Sequence, residues 1–123
     1  MVEAEALPVP WQVRLRAGGN EAVADTAKDE SGGCAGMRPH ELLEAALAAR
    51  MTISARVTLA GLGVADAGVA VRVNLERGEE ATQFRYELIL PAALEPYRAA
   101  VAERIARSPV RATLSKPLTF GPA

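Results

Sequence analysis

The stretch PHELLEAALAARMTISARVTLAGLG, residues 39–63, decides the reading of the chain. After its first residue it has no proline, and it is dense in Ala, Leu, Glu, Met and Arg, which lose least on entering a helix. Pro39 suits the first helical turn, where its missing N–H is no loss. Glu41 places negative charge at the positive end of the helix dipole. Gly61 and Gly63 supply the stop signal. One long helix is therefore expected, with Leu43, Leu47 and Val57 on its hydrophobic face. Positions seven apart on a helix differ by only about 20° in direction. Arg50 thus shares a stripe with Leu43 and Val57, and Ser54 is a second polar insertion in it. A full arginine among small and apolar residues is the anomaly the sequence poses.

Working outward, WQVRLR (Trp11–Arg16) alternates as a half-buried strand does. Gly18, Gly19 and Asn20 give a turn signal, and EAVAD (Glu21–Asp25) is the expected returning strand. Residues 1–10 read as a lead-in and residues 11–123 as one domain. The Gly-rich segment TAKDESGGCAGMR (Thr26–Arg38) reads as a loop, and loops of that length are often functional. On the far side of the helix, Val69, Val71, Val73 and Leu75 alternate with Ala70, Arg72 and Asn74. After a turn at Arg77–Glu80, Phe84, Tyr86, Leu88 and Leu90 alternate with Arg85, Glu87 and Ile89, which predicts a hairpin. A second helix is expected over about Ala92–Arg107, with Tyr97, Val101 and Ile105 on one face and Ser108 continuing the row. Ser108-Pro109 restarts the chain as N-cap and first helical residue. Thr119 and Phe120 are an expected edge strand. Strands, helix, strands and helix in that order give an α+β fold.

Composition narrows the function classes. The chain has 123 residues, half of them hydrophobic but only 4% aromatic, so Ala, Val and Leu must fill the core. A net charge of −1 from 14 basic and 15 acidic residues gives no footprint for nucleic acid or an anionic membrane. No apolar run approaches the roughly 20 residues a spanning helix needs. The acidic, Pro-broken start is wrong for a signal peptide. A single cysteine suits a reducing, cytoplasmic compartment. No phosphate-loop or dinucleotide pattern is present, and one His with one Cys is too few for zinc, so neither a cofactor nor a metal is expected. Cys34, a few residues before a helix start, is a candidate nucleophile. Against that stand an inert loop cysteine, a first-turn surface role for His40 and a capping role for Ser108. Arg50 needs a counter-charge, a bound anion or water, because an unpaired buried guanidinium costs several kcal/mol.

Gly32 to Arg50, GGCAGMRPHELLEAALAAR, resembles the helix signature of the OsmC/Ohr superfamily. That signature runs through Gly, Pro and Glu-Leu into an Ala-rich turn that ends in cysteine. The family's second signature, Cys-Pro-Val followed by Thr-Leu, is similar to Ser108-Pro109-Val110-Arg111-Ala112-Thr113-Leu114. The resemblance extends from about Trp11 to the C-terminus. It implies an interlocked homodimer with antiparallel sheets wrapped around a long central helix, and an active site at the subunit interface. It also implies reduction of organic hydroperoxides by a peroxidatic and a resolving cysteine. Arg50 stands where the first cysteine would be, and Ser108 where the second would be. His40 stands where the peroxidase branches carry a glutamate that holds a catalytic arginine, while Glu41 keeps the more general Pro-x-Glu-Leu form. The family's arginine has no secure counterpart, with Arg38 and Arg16 as candidates. The resemblance thus implies the family's site without its redox pair: an interface cleft suited to a small polar or anionic ligand. The alternative is a single-cysteine peroxidase using Cys34 with an external thiol as resolver.

Overall fold

The computed structural model describes residues 1–123, which fall into two compact units, Met1–Leu43 and Glu44–Ala123. The first unit holds a three-stranded antiparallel sheet, β1 (Glu3–Ala6), β2 (Val13–Ala17) and β3 (Asn20–Ala24), in the order β1-β2-β3. The β2–β3 hairpin closes through Gly18 and Gly19, with Gly18 at φ 59°, where a side chain would be strained. Trp11 does not open the strand as expected. It sits in the turn before it, at φ 73°. The lead-in reading also needs correcting, because Glu3–Ala6 pairs with Val13–Arg16 as a full edge strand. Only Ala24 and Asp25 are fully buried within this unit.

Helix α1 (Pro39–Gly61) runs 23 residues, close to the bounds its proline and glycines predict. Its start is fixed by Glu41, whose Oε1 accepts the Arg38 N–H at 2.9 Å while Leu42 N–H donates to the Arg38 carbonyl. This is the carboxylate half of a capping box. The second unit pairs β4 (Ala70–Arg77) with β5 (Thr82–Ile89) in register Val71↔Leu88, Val73↔Tyr86 and Leu75↔Phe84. Their inward faces, with α1 and α2 (Arg98–Ile105), enclose the core: Leu47, Met51, Ala55 and Leu59 from α1, Val101 and Ile105 from α2, and Val71, Leu88 and Leu90 from the hairpin and its end. Two polar ties fix the helices to this sheet. Glu44 Oε2 accepts the Leu75 N–H at 2.9 Å, and Arg98 donates to the Leu88 carbonyl at 3.1 Å while forking onto Glu95.

Three further expectations change. The second helix splits into a 3-10 turn over Ala92–Tyr97, which carries Pro96, and α2 proper. Thr119 and Phe120 form no strand, and Phe120 is 93% exposed. The stripe read on α1 divides in two. Leu47 and Ser54 are buried, whereas Leu43 and Val57 are 46% and 61% exposed. The cause is geometric: residues seven apart drift about 20° per step, which carries the Leu43–Arg50–Val57 row away from a buried face centred near Met51.

Ile105→Ala, at a position 1% exposed, should cost about 2–5 kcal/mol in guanidinium unfolding, whereas Phe120→Ala should stay within about 0.5 kcal/mol.

Candidate functional site

The loop ahead of α1 is organised by a residue that the sequence reading passed over. Asp25 directly follows β3 and is 2% exposed. Its Oδ1 accepts the Thr26 N–H at 2.8 Å and its Oδ2 the Ala35 N–H at 3.1 Å, so one carboxylate pins both ends of a ten-residue excursion. The backbone N–H of Ala35, with those of Gly33, Thr26 and Cys34, holds the Asp25 carboxyl below its ordinary value of 3.8, against the opposing effect of burial. Inside the loop, Lys28 and Ser31 exchange two backbone hydrogen bonds of 2.9 Å around Asp29 and Glu30, both at positive φ, a tight two-residue reversal. The loop then returns alongside β3, where Asp25 N–H donates to the Met37 carbonyl at 3.1 Å. Gly36 sits so close to the Val23 carbonyl that any Cβ would collide with it, which gives this glycine of the motif its physical reason.

Cys34 lies on this loop as an exposed free thiol. Arg38 and Glu41 are joined through the backbone cap, so Glu41 is committed to starting the helix. His40 is exposed in the first turn of α1. Arg16 does not stand apart as an available cation, because its Nε donates to Glu21 Oε1 at 2.7 Å across the β2–β3 pair.

Arg50 and Ser108 both border the core of residues 44–123. Arg50 is half-buried and directly precedes core Met51, while Ser108 is wholly buried and continues the Val101–Ile105 row. Arg50 Nε, Ser54 Oγ and Ser108 Oγ are buried without a hydrogen-bond partner within the chain, and Arg50 forms no ion pair there. Ser108 holds the N-cap position of α3 (Pro109–Leu114), yet its hydroxyl makes no capping bond, so the expected capping role fails at the side chain. Thr52 and Thr58 each donate back to the carbonyl four residues earlier, whereas Ser54 does not. Leaving a buried hydroxyl unpaired costs about 1–3 kcal/mol, so the Ser54 and Ser108 hydroxyls, with Arg50 Nε, are the polar atoms of this unit left unsatisfied within the chain. Ser54 was legible in sequence only as a polar break in an apolar run. Its burial is a tertiary fact. No group of three or more His, Cys, Asp or Glu side chains converges to hold a metal.

No family model and no curated protein matches the sequence. Solved structures match its fold. A protein of Psychrobacter arcticus 273-4, described as an osmotic stress induced and detoxification response protein, superposes with TM-score 0.74 at 14% identity, over 91% of this chain and 85% of that one. The chain has the OsmC-like fold. An OsmC-like protein of Mycoplasma pneumoniae aligns with TM-score 0.68 at 14% identity, over 93% of this chain and 85% of that one. An organic hydroperoxide resistance protein OsmC of Legionella pneumophila aligns with TM-score 0.59 at 15% identity, over 94% and 88%. At these identities it is the α+β architecture that is shared. No helix of this OsmC-like chain is long and apolar enough to cross a membrane.

Because the folded-state pKa of Asp25 is depressed, its stabilisation is complete above the ordinary 3.8 and is lost as pH falls through the lower folded value. Thermal unfolding should therefore show the wild type losing more stability than Asp25→Asn between about pH 5 and about pH 3, while at neutral pH the variant is the less stable of the two.

Proposed function

We propose that this chain is an OsmC/Ohr superfamily member that has lost the two-cysteine peroxidase cycle, with β1 joined to residues 11–123 in one domain of a cytoplasmic homodimer. The family's cleft is retained at the subunit interface, where Arg50 and Ser108 hold a small polar or anionic ligand. The observation that carries this reading is that Arg50 Nε and Ser108 Oγ, at the two positions where the resemblance puts the redox cysteines, are buried and unpartnered, as is Ser54 Oγ one turn along α1 from Arg50. An arginine has no nucleophilic role. A serine hydroxyl without an activating base is too weak an acid to replace a thiolate. A guanidinium beside hydroxyls binds carboxylates and other anions through charge-assisted hydrogen bonds.

Two features support a partner copy. Leu43, Ala46, Arg50, Ile53 and Val57 follow one another at intervals of three and four on α1, the spacing of a helix-to-helix seam, and Ile53 and Val57 are 50% and 61% exposed. The three-stranded sheet buries almost none of its own side chains, and a sheet of that size needs an apolar face covered by something. A second copy supplies a seam to the helix and brings further polar groups towards Arg50.

The second reading keeps an enzyme and rests on the exposed thiol of Cys34. In it the Cys34 thiolate takes the terminal peroxide oxygen, giving a sulfenic acid and the alcohol. One external thiol then forms a mixed disulfide and water, and a second thiol displaces Cys34 and leaves as the external disulfide.

The purified protein is expected to consume no cumene hydroperoxide above background with dithiothreitol present. Turnover that disappears in Cys34→Ser would replace the binding reading with the second one. In sedimentation the wild type should run as a dimer and Ile53→Asp as a monomer, because a carboxylate in an apolar seam carries a desolvation penalty. In the same dimer, acetate or sulfate should raise the melting temperature, and Arg50→Met should remove that rise.

A further inference from the structure

A polar cleft that neither Arg50 nor Ser108 lines is supplied wholly by residues 44–123. It occupies about 300 Å³, at the lower end of small-molecule sites. Leu47 of α1, Phe84 of β5 and Leu114 of α3 form its apolar side. The polar side is Arg111 of α3 with Thr82, Gln83 and Tyr86 of β5. No carboxylate lines it, so its one formal charge is the Arg111 guanidinium. That guanidinium takes part in no ion pair, and the side chains of Thr82, Gln83 and Tyr86 make no hydrogen bond within the chain. Other arginines near this sheet are paired: Arg72 lies 3.8 Å from Glu87, Arg85 is held by Glu76 at 2.9 Å, and Arg98 by Glu95 at 2.7 Å. Arg111 is presented on a helix whose end is locked, with Ser115 donating both its backbone N–H, at 2.9 Å, and its hydroxyl, at 2.7 Å, to the Arg111 carbonyl.

We propose that this cleft binds a small amphiphilic carboxylate, with the carboxylate on Arg111 and its apolar body against the half-buried Phe84 and Leu114, over the floor that Leu47 forms. One planar guanidinium matches one carboxylate through paired N–H···O bonds. A phosphate dianion calls for more positive charge or a backbone nest, and the cleft offers neither. Thr82 and Tyr86, on the same face of β5 as Phe84, supply hydroxyl donors for the oxygens that Arg111 does not reach. The apolar side excludes fully polar anions as good ligands, because it would gain no burial from them. This proposal stands apart from the reading of Arg50, since neither Arg50 nor Ser108 lines the cleft.

Calorimetric titration of the full chain with hexanoate, and with hexanamide as its neutral twin, tests it. Hexanoate should bind once per chain, with hexanamide about tenfold weaker or worse. Arg111→Gln should weaken hexanoate by about tenfold or more with melting and sedimentation unchanged, Arg111→Lys should fall between, and Arg50→Gln should leave hexanoate binding as it was. The proposal is overturned if hexanoate gives no saturable heat, if hexanamide binds equally well, or if Arg111→Gln has no effect. It is also overturned if Arg50→Gln is the variant that loses binding, which would place the ligand at the other site. A shift in sedimentation for Arg111→Gln would equally overturn it, because the cleft would then belong to a contact between copies.

Discussion

A 23-residue helix in water must bury apolar surface, and α1 carries such surface on two adjoining rows. One row, Leu47–Met51–Ala55–Leu59, is sealed by α2 and the β4–β5 hairpin. The other, Leu43–Ala46–Ile53–Val57, stays open and has Arg50 at its centre. The rest of the molecule is arranged around this division. The hairpin offers its Val71–Leu88 face to the sealed row, and Glu44 and Arg98 fix the helices by bonding to strand backbone. Arg50 sits about 100° round the helix from Met51, at the seam between the sealed row and the open one. That position explains how its Nε is buried while the residue as a whole is only half covered.

Electrostatics then sort the polar groups by what they can still do. Asp25 and Glu41 are committed inside the chain, one holding the loop and the other starting the helix. Both act as acceptors for backbone N–H, which the carboxylate charge strengthens. Arg16, Arg85 and Arg98 are committed to acidic partners on the surface, where such pairs add little stability but do occupy the cations. Arg50 and Arg111 form no ion pair; Ser54 follows the first by one turn of α1, while Thr82 and Tyr86 share a cleft with the second. On the two proposals made above, the protein keeps two places where an anion would find a guanidinium and donors together, on opposite terms. The first is nearly closed and depends on what covers the open row of α1. The second is complete within one chain.

Local pattern alone settled much of this. Pro39, Glu41 and Gly61 bound α1 because proline, helix-dipole and glycine effects act within a few residues. The alternation of Val71, Val73 and Leu75 with Arg72 and Asn74 specified the β4–β5 hairpin and its inward face, since a strand's side chains alternate whatever it packs against. The two motifs around Arg50 and Ser108 were visible as spacing. Tertiary structure alone decided the rest. The fate of Leu43 and Val57 depends on where the buried face is centred, and a drift of about 20° per seven residues cannot be assigned a side until a partner surface exists. The role of Asp25 arises from backbone N–H groups ten residues away, which no periodicity reports. Ser108 looked like a cap because sequence gives its position. Only the fold shows that its hydroxyl is buried and makes no capping bond.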